Sequence, residues 1–468
     1  MHVDQMPFQL LAEFANRGVR RIAEEDPLLF DVLCREYQRQ LNTLSMVAAS
    51  SIADPSVLFC EGSVLGNVTT EGYPGHRFHG GCEFVDAVET LAVRRAMTAF
   101  GARYANVQPH SGSGANQILL FNFLKPGDRI LGLDLACGGH LTHGARASVS
   151  GQYFEALTYG LGEDGFIDFT QVRDLALRYR PKIIICGASA YPRTIDFRLF
   201  REIADETGAL MLADISHIAG LVAGGCHPSP IDHAHFTTTS TYKQLYGPRG
   251  GLILIGQDYD RILPGQKQTL SEAVQRAVFP VMQGTPKLGE IAAKARALAF
   301  VATPDFKRIA SLIVADAKVL ATEMLARGYH VLTGGTDNHM VLIDVSLRGL
   351  TGIIAQRALE ECRIVVNRNV IPKDTRGPAV ASGIRIGTNA LALRGMTEEA
   401  MAVCSNLIDK VLSSVEVRGE SEYDLPSHIS GAVCCEVEQL CARYPIPYYP
   451  VSQSNHYEPA LKSSEAVV

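Results

Sequence analysis

The chain has 468 residues, enough for two or three domains at about 150 residues each. Lysine plus arginine total 43 against 49 aspartates plus glutamates, a net charge of −6, which excludes a strongly basic nucleic-acid binder. Hydrophobic residues at 47% and charged residues at 20% are globular values and exclude a disordered chain.

Residues 1 to about 45 read as amphipathic helix, with Leu28, Leu29, Val32, Leu33 and Tyr37 on one face. We assign 1–59 to an N-terminal helical arm, which packs on its own domain or reaches a partner subunit. Over 60–319, short apolar runs alternate with helix-period stretches. Strands are expected at Tyr104–Val107, Arg129–Gly132, Lys182–Cys186, Leu210–Ala213 and Gly251–Ile255, with helices such as Ala115–Leu124 and Arg198–Thr207 between them. That alternation predicts an α/β fold, a mostly parallel sheet with helices on both faces. The 42 glycines, against about 33 at average usage, fit the many turns such a fold needs. From 320 to 450 the pattern becomes a smaller α+β unit with elements at Val341–Val345, Gly352–Leu359, Ile364–Asn367 and Ile384–Gly387. Residues 451–468 are polar and aperiodic, which predicts a disordered tail.

Eleven cysteines are present, but no Cys-x-x-Cys pair exists among them, so no zinc ribbon or thioredoxin motif is expected, and no metal site. The start lacks the basic and apolar regions of a secretory leader. No apolar run approaches the roughly 18 residues of a membrane span. These features predict reduced thiols and a cytoplasmic protein with no membrane partner.

Three stretches carry chemistry. In His110-Ser111-Gly112-Ser113-Gly114, small residues follow a strand and open an apolar helix. The free backbone N–H groups and helix dipole there suit a phosphate, and equally an ordinary helix cap. The run Leu210–His217 ends a buried strand in Asp214 and places His217 beyond it. Asp214 either faces a ligand at the strand's carboxyl end or caps the next turn. Thr237-Thr238-Thr239-Ser240-Thr241-Tyr242-Lys243 crowds hydroxyls around one lysine, with little need for helix or sheet packing. A desolvated lysine there becomes a nucleophilic amine, although a lone lysine is more often surface. Together, a phosphate cup, a strand-end aspartate and a following lysine are the parts that hold pyridoxal 5'-phosphate.

Longer runs identify a family resemblance. Residues from about 26 to 449 resemble serine hydroxymethyltransferase, a fold-type I pyridoxal-phosphate enzyme with a seven-stranded sheet. The matching runs include Glu71–Gly75, Gly80–Glu83, Ala105–Ser113, Gly138–Gly144, Gly247–Leu254, Gly334–His339 and Ser382–Arg385. By resemblance, Lys243 is the Schiff-base lysine and Asp214 the partner of the pyridinium nitrogen. His217 lies near the cofactor's phenolic oxygen, and His140 stacks on its ring. Ser111, Gly112 and Ser113 form the phosphate loop, with Ser189 and Ser240 also at the cofactor. Gly284 and Thr285 fall where a neighbouring subunit closes over the phosphate. Arg385 clamps the substrate carboxylate as a bidentate fork, and Glu71 transfers a proton at the substrate hydroxyl. Shared sites imply a homodimer or tetramer.

Departures from the family runs suggest the substrate. Adjacent family tyrosines are Phe78 and His79, an earlier tyrosine is Thr69, and a histidine before the lysine is Tyr242. Cys137 replaces another histidine, Lys373 an asparagine, and Ala379 a phenylalanine. Several of these family positions contact tetrahydrofolate, and losing a stacking or hydrogen-bonding partner costs about 1–3 kcal/mol of binding. The pattern therefore resembles the L-threonine transaldolases of the family. These convert L-threonine and an acceptor aldehyde, through a glycine-derived carbanion, into acetaldehyde and a new β-hydroxy-α-amino acid. The expected substrates are L-threonine, glycine and an aldehyde acceptor, in a specialised natural-product pathway. Phe78 and His79 are expected at the substrate, and Tyr242 in catalysis. The alternatives are a tetrahydrofolate-dependent glycine/serine hydroxymethyltransferase, a threonine aldolase, and a silent cofactor-binding homologue.

Overall fold

The computed structural model describes residues 5–451. Its centre is a seven-stranded sheet: β1 Tyr104–Asn106, β2 Arg129–Leu133, β3 Glu155–Tyr159, β4 Ile183–Gly187, β5 Leu210–Asp214, β6 Phe236–Ser240 and β7 Gly251–Ile255. The strands lie in the order β1-β7-β6-β5-β4-β2-β3. Only β7 runs against the rest, antiparallel to both β1 and β6. Strands β2, β4, β5 and β7 are mostly apolar because both faces of the sheet are covered. Ile183, Ile185, Leu212 and Ile253 pack with Ala115, Ile118 and Leu119 of helix Gly112–Phe123. Ile184, Cys186, Met211, Ala213 and Leu252 join a second core with Val85 and Ala92 of Glu83–Phe100 and Phe200 of Phe197–Thr207.

The five expected strands form at their expected places, β7 to the residue. Two further strands, β3 and β6, were not anticipated. The reading of Thr237–Ser240 as a stretch without a packing role is corrected: β6 lies between β5 and β7, with all of its residues buried. Threonine is β-branched and favours strands, so its polarity masked its propensity.

A second sheet holds β8 His330–Val331, β9 Met340–Asp344, β10 Asn367–Asn369 and β11 Gly383–Gly387, antiparallel in the order β8-β9-β11-β10. The expected element at Ile364–Asn367 divides, since Ile364–Val365 pairs with Leu44–Ser45 instead. The helix Pro304–Ala326 runs through position 320 and serves both cores. Its Phe306, Ile309 and Ile313 pack with the large sheet, and its Ala317, Leu320 and Met324 with the small one.

Two helices, Gln5–Glu25 and Pro27–Leu41, open the described chain. Asp26 separates them, and its carboxylate accepts the Leu29 N–H at 3.1 Å as an N-cap. Leu28, Leu29, Val32 and Leu33 of the expected apolar face are exposed, while Tyr37 stacks on Tyr449. The tail expected from Val451 lies, from residue 452 onward, outside the described residues.

Candidate active site

The site forms at the carboxyl ends of the parallel strands, where open α/β sheets bind ligands. Ser111, Gly112, Ser113, His140, Ser189, Asp214, His217, Ser240, Tyr242 and Lys243 line one narrow cavity there. Ser111 caps the helix that begins at Gly112, its hydroxyl accepting the Gly114 N–H at 2.9 Å. A Cβ on Gly112 would lie 3.1 Å from both Ser216 Oγ and Ser240 N, so the closeness of the cup to β6 favours glycine. The Ser240 hydroxyl is buried with no partner in the described structure, as is His217 Nδ1. Unpaired buried polar atoms around a helix N-terminus fit a phosphate ester on a polar ring.

Asp214, the last residue of β5, is fixed by three donors. Its Oδ2 accepts Asn116 Nδ2 at 2.7 Å and meets His143 Nε2 at 3.1 Å, and its Oδ1 accepts the Ser216 N–H at 3.0 Å. Burial alone would raise its pKa, but the hydrogen bond and charge of His143, with His140 beyond, hold it well below the usual carboxylate range. Behind it, Thr238 Oγ1 donates to Asn116 Oδ1 at 2.6 Å, and Asn116 also donates to Thr142 Oγ1 at 2.9 Å. Thr142 Oγ1 in turn lies 2.7 Å from His140 Nδ1, joining His140 to the same network. Burial lowers His140 to about 4 and takes His217 well below its usual range, so both rings are neutral at pH 7. His140, His143 and Asp214 approach closely enough to hold a metal ion, but the hydrogen bonds above already account for their arrangement.

Lys243 is buried, and burial lowers its pKa to about 8, with Asp214 opposing the shift. It makes no hydrogen bond among the described residues, and its Nζ lies 5.3 Å from the Tyr242 ring. Tyr242 also carries the Arg249 guanidinium on its face at 4.1 Å. Arg385, on β11, donates through Nε to Asn367 Oδ1 at 3.1 Å and through Nη1 to the Ser189 carbonyl. Burial lowers it to about 10, and its partners among the described residues are an amide and a backbone carbonyl, not a carboxylate. A buried guanidinium in that state awaits an anion.

Glu71, Phe78, His79, Gly284 and Thr285 do not line this cavity in one protomer. Glu71 precedes a short hairpin, Gly72–Tyr73 with His76–Arg77, and Phe78 N–H closes onto its carbonyl. Phe78 is 76% exposed and leans on Phe279, while a Cβ on Gly284 would lie 3.4 Å from Glu71 Oε1. Glu71, Phe78 and Gly284 therefore gather as a second cluster, with His79 and Thr285 next to them in the chain. The sequence reading missed Asn116, Thr142, His143, Ser216 and Asn367. Only Asn116, polar in the second turn of an apolar helix, left a visible signal.

The sheet, the strand-end aspartate, the desolvated lysine and the phosphate cup define a fold-type I pyridoxal-phosphate-dependent transferase. A family model described as Serine hydroxymethyltransferase matches residues 22–408. A serine hydroxymethyltransferase of Chlorobium phaeovibrioides is 44% identical over 439 residues, spanning 92% of this chain and 98% of that protein. The chain belongs to the serine hydroxymethyltransferase family.

Proposed function

We propose that this chain breaks and forms the Cα–Cβ bond of β-hydroxy-α-amino acids as a hydroxymethyltransferase acting on serine and glycine with tetrahydrofolate. The observation that carries this reading is the 44% identity across almost the whole of a protein named serine hydroxymethyltransferase. When bound, pyridoxal phosphate supplies an electron sink for the carbanion left at Cα. Lys243 would hold the cofactor's aldehyde carbon, and Ser111–Ser113 with Ser240 would hold its phosphate. Asp214, kept ionised by its three donors, keeps a proton on the ring nitrogen. His140 would cover the ring face, and Arg385 would orient the substrate carboxylate. Glu71, from a second copy of the chain, exchanges a proton with the β-hydroxyl. We also propose that the protein is cytoplasmic and that 60–319 is its cofactor domain. No helix among the described residues is long and apolar enough to cross a membrane.

A second reading, folate-independent L-threonine transaldolase, draws on a specific observation. Cys137 and Lys373, two of the positions that depart from the family runs, line one cavity of about 440 Å³ together with Gly138 and Ala190. A cavity of that size takes a small organic group, and the exposed Phe78 and His79 would flank an aldehyde at the outer cluster. The two readings separate in one experiment. Acetaldehyde release from L-threonine is measured with and without aromatic and aliphatic aldehydes, beside L-serine with tetrahydrofolate. Folate-dependent serine cleavage supports the first reading. Acceptor-stimulated acetaldehyde release without folate turnover refutes it in favour of the second.

A further inference from the structure

Lys294, on the helix Leu288–Val301, is almost fully buried yet points at no carboxylate. Its Nζ donates instead to three backbone carbonyls: Val107 at 2.7 Å, Pro109 at 3.0 Å and Gly251 at 3.1 Å. Val107 and Pro109 follow β1, and Gly251 opens β7, so one ammonium ties together two neighbouring strands at the site end of the sheet. A charge held this way is costly unless carbonyl dipoles surround it, as they do around cations in carbonyl-lined sites. Burial lowers Lys294 to about 8, with Glu290 and Glu89 opposing, so it remains protonated at neutral pH.

The surroundings are built to admit it. A Cβ on Gly250 would lie 2.3 Å from Lys294 Cε and 2.8 Å from its Nζ. A Cβ on Gly251 would lie 2.3 Å from the Ser111 carbonyl, and Gly251 N–H donates to Pro109 O at 2.9 Å. Pro109 leads through His110 into Ser111, the helix cap. The ammonium, the paired glycines and the cap therefore form one tight unit beneath the phosphate cup.

We infer that Lys294 is a positioning residue that serves as an internal monovalent cation, fixing the Ser111–Ser113 cup for the cofactor phosphate. The inference rests on the assignment of that cup to the phosphate. Cofactor dissociation constants are measured by titrating the resolved protein with pyridoxal phosphate and, separately, with pyridoxal. The salts compared are potassium, ammonium, sodium and tetramethylammonium chloride. Lys294→Ala is expected to bind pyridoxal phosphate at least about tenfold more weakly, with pyridoxal binding unchanged. Potassium or ammonium ions, filling the vacated carbonyl ring, should restore most of the loss, and tetramethylammonium none. The wild type should show no such preference among salts. Lys294→Gln keeps much of the side-chain length and an N–H donor but no charge, so it tests the charge even if the alanine variant fails to fold. It should also bind pyridoxal phosphate more weakly.

Wild-type affinity for pyridoxal phosphate in Lys294→Gln, or loss in Lys294→Ala that no cation relieves, would overturn the inference. Equal weakening toward pyridoxal would also overturn it, since that marks general damage. Ser113→Ala separates the underlying assignment: if it leaves pyridoxal phosphate binding intact, the cup has been misplaced, whatever Lys294 does.

Discussion

Asp214 and Asp316 are both buried carboxylates, and their surroundings set them to opposite charge states. Asp214 has three donors and stays ionised, whereas neither oxygen of Asp316 has a hydrogen-bond partner in the described structure. Burial, with Glu398 nearby, raises Asp316 to about 8, so it folds protonated. Its native pKa lies above the unfolded value of about 3.9, so the folded state binds the proton more tightly. That contribution is complete below about pH 4 and is lost as pH rises toward about 8, by up to about 1.4 kcal/mol per pH unit. Asp316→Asn removes this dependence. Urea melts should find it more stable than the wild type at pH 8, with the gap closing near pH 4, and parallel curves would refute the argument. For Asp214→Asn the expectation concerns chemistry instead. The cofactor should still bind, by absorbance, while amino-acid turnover falls at least about a hundredfold, because the ring nitrogen loses its negative partner. Near wild-type turnover would remove Asp214 from its role.

At the scale of elements, the strand ends place the site, and glycines decide how closely they approach. Gly138 has φ of 96°, and a Cβ there would lie 2.3 Å from the Ala190 carbonyl. Its own carbonyl accepts Ser189 N–H at 2.7 Å and Ala190 N–H at 3.1 Å, so it joins the His140 turn to the segment that meets Arg385. Gly138→Ala should cost about 1–2 kcal/mol from the left-handed backbone alone, and more from the clash. A thermal melt and a cofactor titration should both register it, and unchanged values in both would refute the close-approach argument. The order of such segments was legible in the sequence wherever apolarity marked them, as in Leu210–Asp214 and Gly251–Ile255. It failed at β6, where buried threonines look polar, and at Glu155–Tyr159, an edge strand with only Tyr159 fully buried. The site followed the same rule. Asp214 and Lys243 stood out as charges in apolar or hydroxyl-rich runs, and the family resemblance supplied their roles. Thr142, His143 and Asn367 act through partners distant in the chain, which spacing alone does not reveal.

The whole molecule leaves two features unfinished within one chain. Leu28, Leu29, Val32 and Leu33 lie exposed on one helix, with Phe8, Leu11 and Phe14 exposed on the helix before it. Exposed large apolar side chains repeated along two successive helices point to an interaction face. Glu71, Phe78, His79, Gly284 and Thr285 stand apart from the cavity that holds Lys243. We propose a symmetric pair, which would bury the arms and bring each outer cluster to the other copy's cavity. Exchange of inactive subunits tests this directly. Lys243→Ala alone and Glu71→Gln alone should each be nearly inactive. In a mixed pair, one site receives both substitutions, and the other receives an intact lysine from one chain and an intact glutamate from the other. Random reassortment makes about half the pairs mixed, so about a quarter of all sites should be active after the two proteins are unfolded together and refolded. If Lys243 and Glu71 served the same site within one chain, no intact site would form in any pair. Activity that stays at the level of the separate variants, with mixed pairs demonstrated by a size tag, would therefore exclude the shared site.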